Sequence, residues 1–235
     1  MFGYAALLAA AFAPGLFWLW YFYRKDTLEP EPKRLILRMF FLGILLGIPA
    51  TILELFPVDS IVMTVILAPA IEESLKFLGV RFTVYLRREF DEPMDGIIYT
   101  AAVALGFASM ENWFYLWATY LNAHDAAQSF ETLSPLGILL SVFIIRALLS
   151  VPSHVLYSSL WGYALGKAKF MDPARGRRLI VKGLALAMLC HGLFNYFAAN
   201  LPEAALAEVV LVAVLWVIIL RRMAESIKIS PHRTL

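Results

Sequence analysis

Two adjacent carboxylates and a lysine stand inside an otherwise apolar run, Ala68-Pro69-Ala70-Ile71-Glu72-Glu73-Ser74-Leu75-Lys76. An ionisable side chain at mid-membrane costs at least about 2.5–3.5 kcal/mol, so charges placed there are expected to face a protein-lined or watered cavity and to mark function. On a helix, Lys76 lies four positions after Glu72 and three after Glu73 and reaches either acid along one face. A salt bridge that only lets the helix insert would account for these three residues. Further polar groups, however, lie at similar depth in other apolar runs: Glu111 with Asn112, Arg146 about two turns before His154, and His191 with Asn195 one turn beyond it.

Two glutamates together, a third on another helix and two histidines on two further helices are the ingredients of a metal-bound or carboxylate-activated water. Imidazole and carboxylate are ordinary zinc ligands, and a catalytic zinc site needs about three protein ligands with one position open to water. A remaining glutamate is then available as general base. His154 alone would read as a satisfied core histidine; His191 with Asn195 carries more, and the joint pattern most.

The elements that must position these groups are transmembrane helices. The chain has 235 residues, 61% hydrophobic and 16% charged, with a mean hydropathy of +0.72. Apolar runs of about twenty residues separated by short polar connections specify an all-α, polytopic helical bundle, because each spanning segment must satisfy its own backbone in lipid. Seven runs are expected, near residues 4–23, 35–56, 61–86, 94–120, 135–166, 179–199 and 204–220. The first is too long for a signal-peptide core and remains as a span. The fifth exceeds the length of a span and contains Pro152, which predicts one long kinked or tilted helix, with a span plus a short interfacial helix as the alternative. Gly43 and Gly47 have the spacing of a close helix contact, inside the bundle or between protomers. The polar stretch 121–134, free of Lys and Arg, is expected to be a loop. The seventh run reads as a peripheral helix.

Basic residues cluster in the connections 24–34, 87–88 and 167–178 and in the tail 221–233, all on one side of a seven-span chain. That asymmetry predicts a cytosolic C-terminus and an external N-terminus. The whole chain, 1–235, reads as one integral-membrane domain. The single cysteine, Cys190, excludes an internal disulfide framework, and no basic stripe with interleaved aromatics points to nucleic acid.

Glu72-Glu73-Ser74-Leu75-Lys76 resembles the EExxK motif, Phe107 to Asn112 the FxxxEN motif, and His154 and His191 with Asn195 the histidine motifs of the PrsW family of intramembrane proteases, related to the type II CAAX prenyl endopeptidases. The resemblance takes in the Glu29-Pro30-Glu31-Pro32 loop and spans nearly the whole chain. It implies a membrane-embedded peptidase of a bacterial or archaeal cell membrane that cuts a membrane-anchored protein, such as an anti-sigma factor, outside its spanning segment. By position it implies Glu72, Glu73, Lys76, Asn112 and Asn195 as catalytic-site residues, with Glu72 or Glu73 activating water. It further implies Glu111, His154 and His191 as ligands of a divalent metal, zinc by ligand type. Glu111 replaces a histidine of the CAAX-type relatives, and three roles stay open for it: metal ligand, base, or orientation of His154. The competing reading, of another class, is a proton- or cation-coupled transporter using the same acids and histidines as a relay; no paired broken helices or inverted repeat favour it.

Overall fold

The computed structural model describes residues 3–129 and 134–233, without the side chains of 123–129. Among these residues it is all-helical: α1 (Tyr4–Tyr23), α2 (Lys33–Glu54), α3 (60–83), α4 (Pro93–Ser129), α5 (135–168), α6 (Pro173–Ala199) and α7 (Ala205–Lys228). Five of them, α1, α2, α4, α5 and α6, are long and apolar enough to cross a membrane. Helix α3 carries Glu72, Glu73, Lys76 and Arg81, and α7 carries Glu208, Arg221, Arg222, Glu225 and Lys228.

Helix α4 is the axis of the bundle. Met94, Ile97, Ile98, Tyr99 and every residue from Ala101 to Leu105 are at most 1% exposed, and α1, α2 and α5 pack around it. Close approach comes from missing side chains: a Cβ on Gly43 would overlap the Val103 carbonyl, and one on Gly106 would overlap the Phe40 carbonyl. The Gly43/Gly47 face is thus a contact inside the bundle, between α2 and α4. Helix α4 continues to Ser129, past the end expected at Tyr120, and residues 130–133 of the anticipated loop lie outside the described residues. Helix α7 buries only a stripe, Glu208, Val212, Leu215, Ile219, Met223 and Ser226, as a peripheral helix should.

Two prolines explain the irregular turns of α3 and α5. Helix α3 runs as Ser60–Val62, a π-helical stretch Met63–Leu67, and Ala68–Thr83; α5 runs as Pro135–Ile145, a π-helical stretch Arg146–Ser150, and Val151–Ala168. In each stretch the N–H five residues on closes the turn, from Ala68 to the Met63 carbonyl and from Val151 to the Arg146 carbonyl. The next donors would be Pro69 and Pro152, which have no N–H. Their would-be acceptors, the carbonyls of Thr64 and Ala147, are instead satisfied from other helices, by Asn195 Nδ2 and by Trp18 Nε1, each at 3.0 Å. Neighbouring side chains re-satisfying a freed carbonyl is how a membrane helix tolerates proline. The fifth apolar region is accordingly one continuous helix with a π-turn.

A candidate active site at the floor of a cavity

Helix α3 projects Glu72, Glu73 and Lys76 one turn after the Pro69 irregularity, and α5 projects His154 just after Pro152. Lys76 is wholly buried. Its ammonium has three donors and three acceptors around it: Glu72 Oε2 at 3.0 Å, Glu73 Oε1 at 2.9 Å and His154 Nδ1 at 3.1 Å. The Phe107 ring lies beneath it, 4.2 Å from Nζ to the centroid, a favourable cation–π contact. An ammonium can only donate, so His154 Nδ1 accepts and its proton is on Nε2. That nitrogen lies 2.8 Å from Glu111 Oε2.

The two adjacent glutamates are in different situations. Glu73 is fully buried and surrounded by donors. Its Oε2 accepts from Ser158 Oγ at 2.7 Å and Trp161 Nε1 at 2.8 Å, while Oε1 faces Lys76 and, at 3.3 Å, His191 Nδ1. A carboxylate acceptor fixes the His191 proton on Nδ1 and leaves Nε2 with a free lone pair. Tyr157 stacks on that ring, 4.2 Å between centroids. Glu72 instead lines a cavity of about 640 Å³, together with Glu54, Glu111, Arg146, His154, Asn195 and Glu208. The cavity opens among the helix ends that lie opposite the basic connections.

Arg146, in the π-stretch of α5, donates through Nε to Asn112 Oδ1 at 2.9 Å and lies 3.3 Å from Glu111 Oε2 through Nη2. Asn112 also donates to the Ala11 carbonyl at 3.0 Å. It is fully buried and not part of the cavity wall, so it ties α1 to Arg146. Asn195 lies on the cavity wall and holds the Thr64 carbonyl. Gly192, between His191 and Asn195, makes room for the π-turn, since a Cβ there would overlap the Val65 carbonyl.

Glu72 Oε2 is 3.9 Å from His154 Nδ1 and 3.9 Å from His191 Nε2, and ligand atoms of Glu72, His154 and His191 all lie within 4.8 Å of one another. Two imidazoles and one carboxylate, open to a cavity on one side, fit a catalytic zinc-type ion by donor chemistry. The structure therefore draws Glu72 into the trio with the two histidines and sets Glu111 beside His154. Sequence reading overlooked Glu54 and Glu208, which sit at the terminal turns of their helices. It also overlooked Tyr157, Ser158 and Trp161, although their spacing from His154 follows the helical period and could have placed them on its face.

Carboxylates and histidines that converge below a cavity in a helical bundle suit a membrane-embedded hydrolase that works through an activated water. The sequence pattern of the PrsW family intramembrane metalloproteases matches residues 31–221. Proteins named Protease PrsW from Geobacillus kaustophilus and Bacillus subtilis are 35% and 34% identical, each over 94% of this chain and over 92% and 95% of their own lengths. That from Clostridioides difficile is 28% identical over 90% of this chain and 86% of its own. No solved structure matches. The chain belongs to the PrsW family: it is an integral-membrane protease, its substrate is a membrane protein, and the family's chemistry is that of a metallopeptidase. The transporter reading is not retained.

Proposed function

We propose that the protein hydrolyses a peptide bond of a membrane-anchored protein of anti-sigma type, on the side of the membrane away from the basic loops. The observation that carries this reading is the cavity, whose floor is Glu72, Glu111, His154 and the adjoining His191 and whose mouth lies at the opposite end from those loops. All 235 residues form one peptidase domain of seven spans, with the N-terminus outside and the C-terminus in the cytosol, a topology supported by the distribution of Lys and Arg.

Glu72, His154 and His191 would hold the metal, zinc by donor type, which supplies a Lewis acid and an acidified water. Glu73 is a positioning residue: it fixes the His191 tautomer and shares Lys76 with Glu72. Glu111, 2.8 Å from His154 Nε2 and on the cavity wall, orients that imidazole and, kept as a carboxylate, is the proton acceptor for the attacking water; His154 Nδ1, the nitrogen 3.9 Å from Glu72, is the one that would face the metal. Arg146, held by Asn112, balances Glu111. Asn195 keeps a second amide hydrogen beyond the one given to Thr64, a donor for the oxyanion of the tetrahedral intermediate.

Metal content and cleavage measured together on detergent-purified protein test these roles. Wild type and Glu111→Gln are expected to carry near-stoichiometric zinc and His191→Ala to lose it, while both variants lose cleavage of a membrane-anchored test protein. Zinc lost in Glu111→Gln would make Glu111 a ligand instead of the base.

A further inference from the structure

Helix α7 buries one stripe against the bundle, and the first member of that stripe is a carboxylate. Glu208 precedes Val212, Leu215 and Ile219 at helical spacing, in a row of positions that otherwise holds apolar residues and a serine. It is 2% exposed and lines the cavity of the candidate active site. An acid in the first turn favours a helix N-terminus through the helix dipole, but it does so from the exposed face as well, where it keeps its water. Its burial in the stripe therefore needs another reason.

The acids on the cavity wall are of two kinds. Glu72 and Glu111, at the floor, have counter-ions: Lys76 Nζ stands 3.0 Å from Glu72 Oε2, and Arg146 Nη2 stands 3.3 Å from Glu111 Oε2. Among the described residues, the carboxylates of Glu208 and Glu54 make neither an ion pair nor a hydrogen bond. Arg146, the guanidinium on the same wall, is already held by Asn112 and Glu111. Glu54 ends α2 and Glu208 lies in the first turn of α7, both at the end of the bundle opposite the basic connections, so a peptide on its way to Glu72 passes them. Buried acids at the other end are answered differently. There Asp26 meets Glu92 and Glu31 meets Asp95, carboxyl to carboxyl, and a shared proton satisfies each pair. Glu208 has no carboxyl beside it. Among the described residues, neither Glu208 nor Glu54 belongs to a set of three ligands close enough to share an ion, so the partner they lack is a cation that brings its own hydrogen bonds.

We propose that Glu208, with Glu54 on α2, is a specificity-determining subsite for a lysine or arginine side chain of the substrate, so that the protein cuts membrane-anchored proteins bearing a basic residue near the scissile bond. This rests on the peptidase reading above. An ammonium or guanidinium supplies the charged donors that a carboxylate accepts. A carboxylate buried without a partner in the free enzyme gains its counter-ion only when such a side chain enters, which turns the cost of its burial into discrimination against acidic and neutral ones. Glu54 lies near enough to Glu72 and Glu111 for their charges to act on it, so the acidic field runs from mouth to floor and draws basic segments inward.

The test uses the full chain in detergent and a membrane-anchored test protein carrying lysine, glutamine or glutamate in turn at each position that borders its span on the side away from the cytosol. Wild type is expected to cleave a lysine form at least about tenfold more efficiently, by kcat/KM, than the matching glutamate form, the scale of a desolvated charge pair. Glu208→Gln should bring that ratio close to one with Tm retained, and Glu208→Lys should reverse it in favour of glutamate. Reversal is a readout that altered packing cannot produce. If Glu208→Lys prevents folding, Glu54→Lys serves in its place. A ratio near one in the wild type, or one that Glu208→Gln leaves unaltered, overturns the proposal while hydrolysis itself stands. No cleavage of any form by folded wild type removes the peptidase reading and this inference with it.

Discussion

Glu72 and Glu73 are neighbours in the chain and opposites in setting. Both oxygens of Glu73 accept from fixed donors, whereas Glu72 faces the cavity. Glu73→Gln turns an amide N–H₂ towards one pair of those donors. It is expected to lower the yield of folded protein as well as abolish activity, because a donor then faces donors in a dry site. Glu72→Gln should fold normally and be inactive. Thermal unfolding and cleavage measured together distinguish the two. Lys76→Met leaves two buried carboxylates without their shared cation and should cost about 3–5 kcal/mol, seen as a large fall in Tm. Glu111→Gln, with folding intact, should reduce cleavage about 10²–10⁴-fold, the usual contribution of a positioned base. The residue types of the site could be read from the sequence because charge inside an apolar run is conspicuous. The division of labour could not, since it depends on Ser158, Trp161 and the tautomers of two histidines, which only packing reveals.

Helices α3 and α5 each deliver their chemistry one turn or less beyond a proline-induced π-turn. The positions of Pro69 and Pro152 are plain in the sequence, but which helix repairs each freed carbonyl is a long-range fact: Asn195 for Thr64 and Trp18 for Ala147. Trp18→Phe removes the second repair and should cost about 1–3 kcal/mol for an unsatisfied buried carbonyl, read as a lower Tm. Gly192→Ala should displace α6 from the π-turn and with it His191, lowering activity and metal content together. Gly3→Ala, where an added Cβ meets nothing within 4 Å, is the silent control. On the opposite face, Asp26 and Glu31 have folded-state values raised above their unfolded ones. The stability they lend is full below about pH 4 and is lost as pH rises through about 8 for Asp26 and about 10 for Glu31. Tm is therefore expected to fall as pH rises between about 4 and about 8, where folded Asp26 keeps a proton that the unfolded chain has lost, and this slope should be shallower in the Asp26→Asn variant.

The whole molecule is a bundle built around a buried α4, with a reactive cavity at one end and an acidic cluster under basic loops at the other. The helical class and most helix limits follow from hydrophobic length. The central place of α4 does not, because its apolar length resembles that of its neighbours; what marks it is Gly106 against Phe40 and Gly43 against Val103, a pairing that no single helix discloses. Reporter fusions at the termini should place the C-terminus in the cytosol and the N-terminus outside. Identification of new protein ends in membranes from cells expressing wild type or Glu72→Gln tests the central claim most directly. New ends in single-span proteins, at the membrane boundary away from the cytosol and present only with the wild type, are the predicted result. Equal sets of ends with both forms, or none with either when both are folded in the membrane, would contradict a protease whose chemistry depends on Glu72.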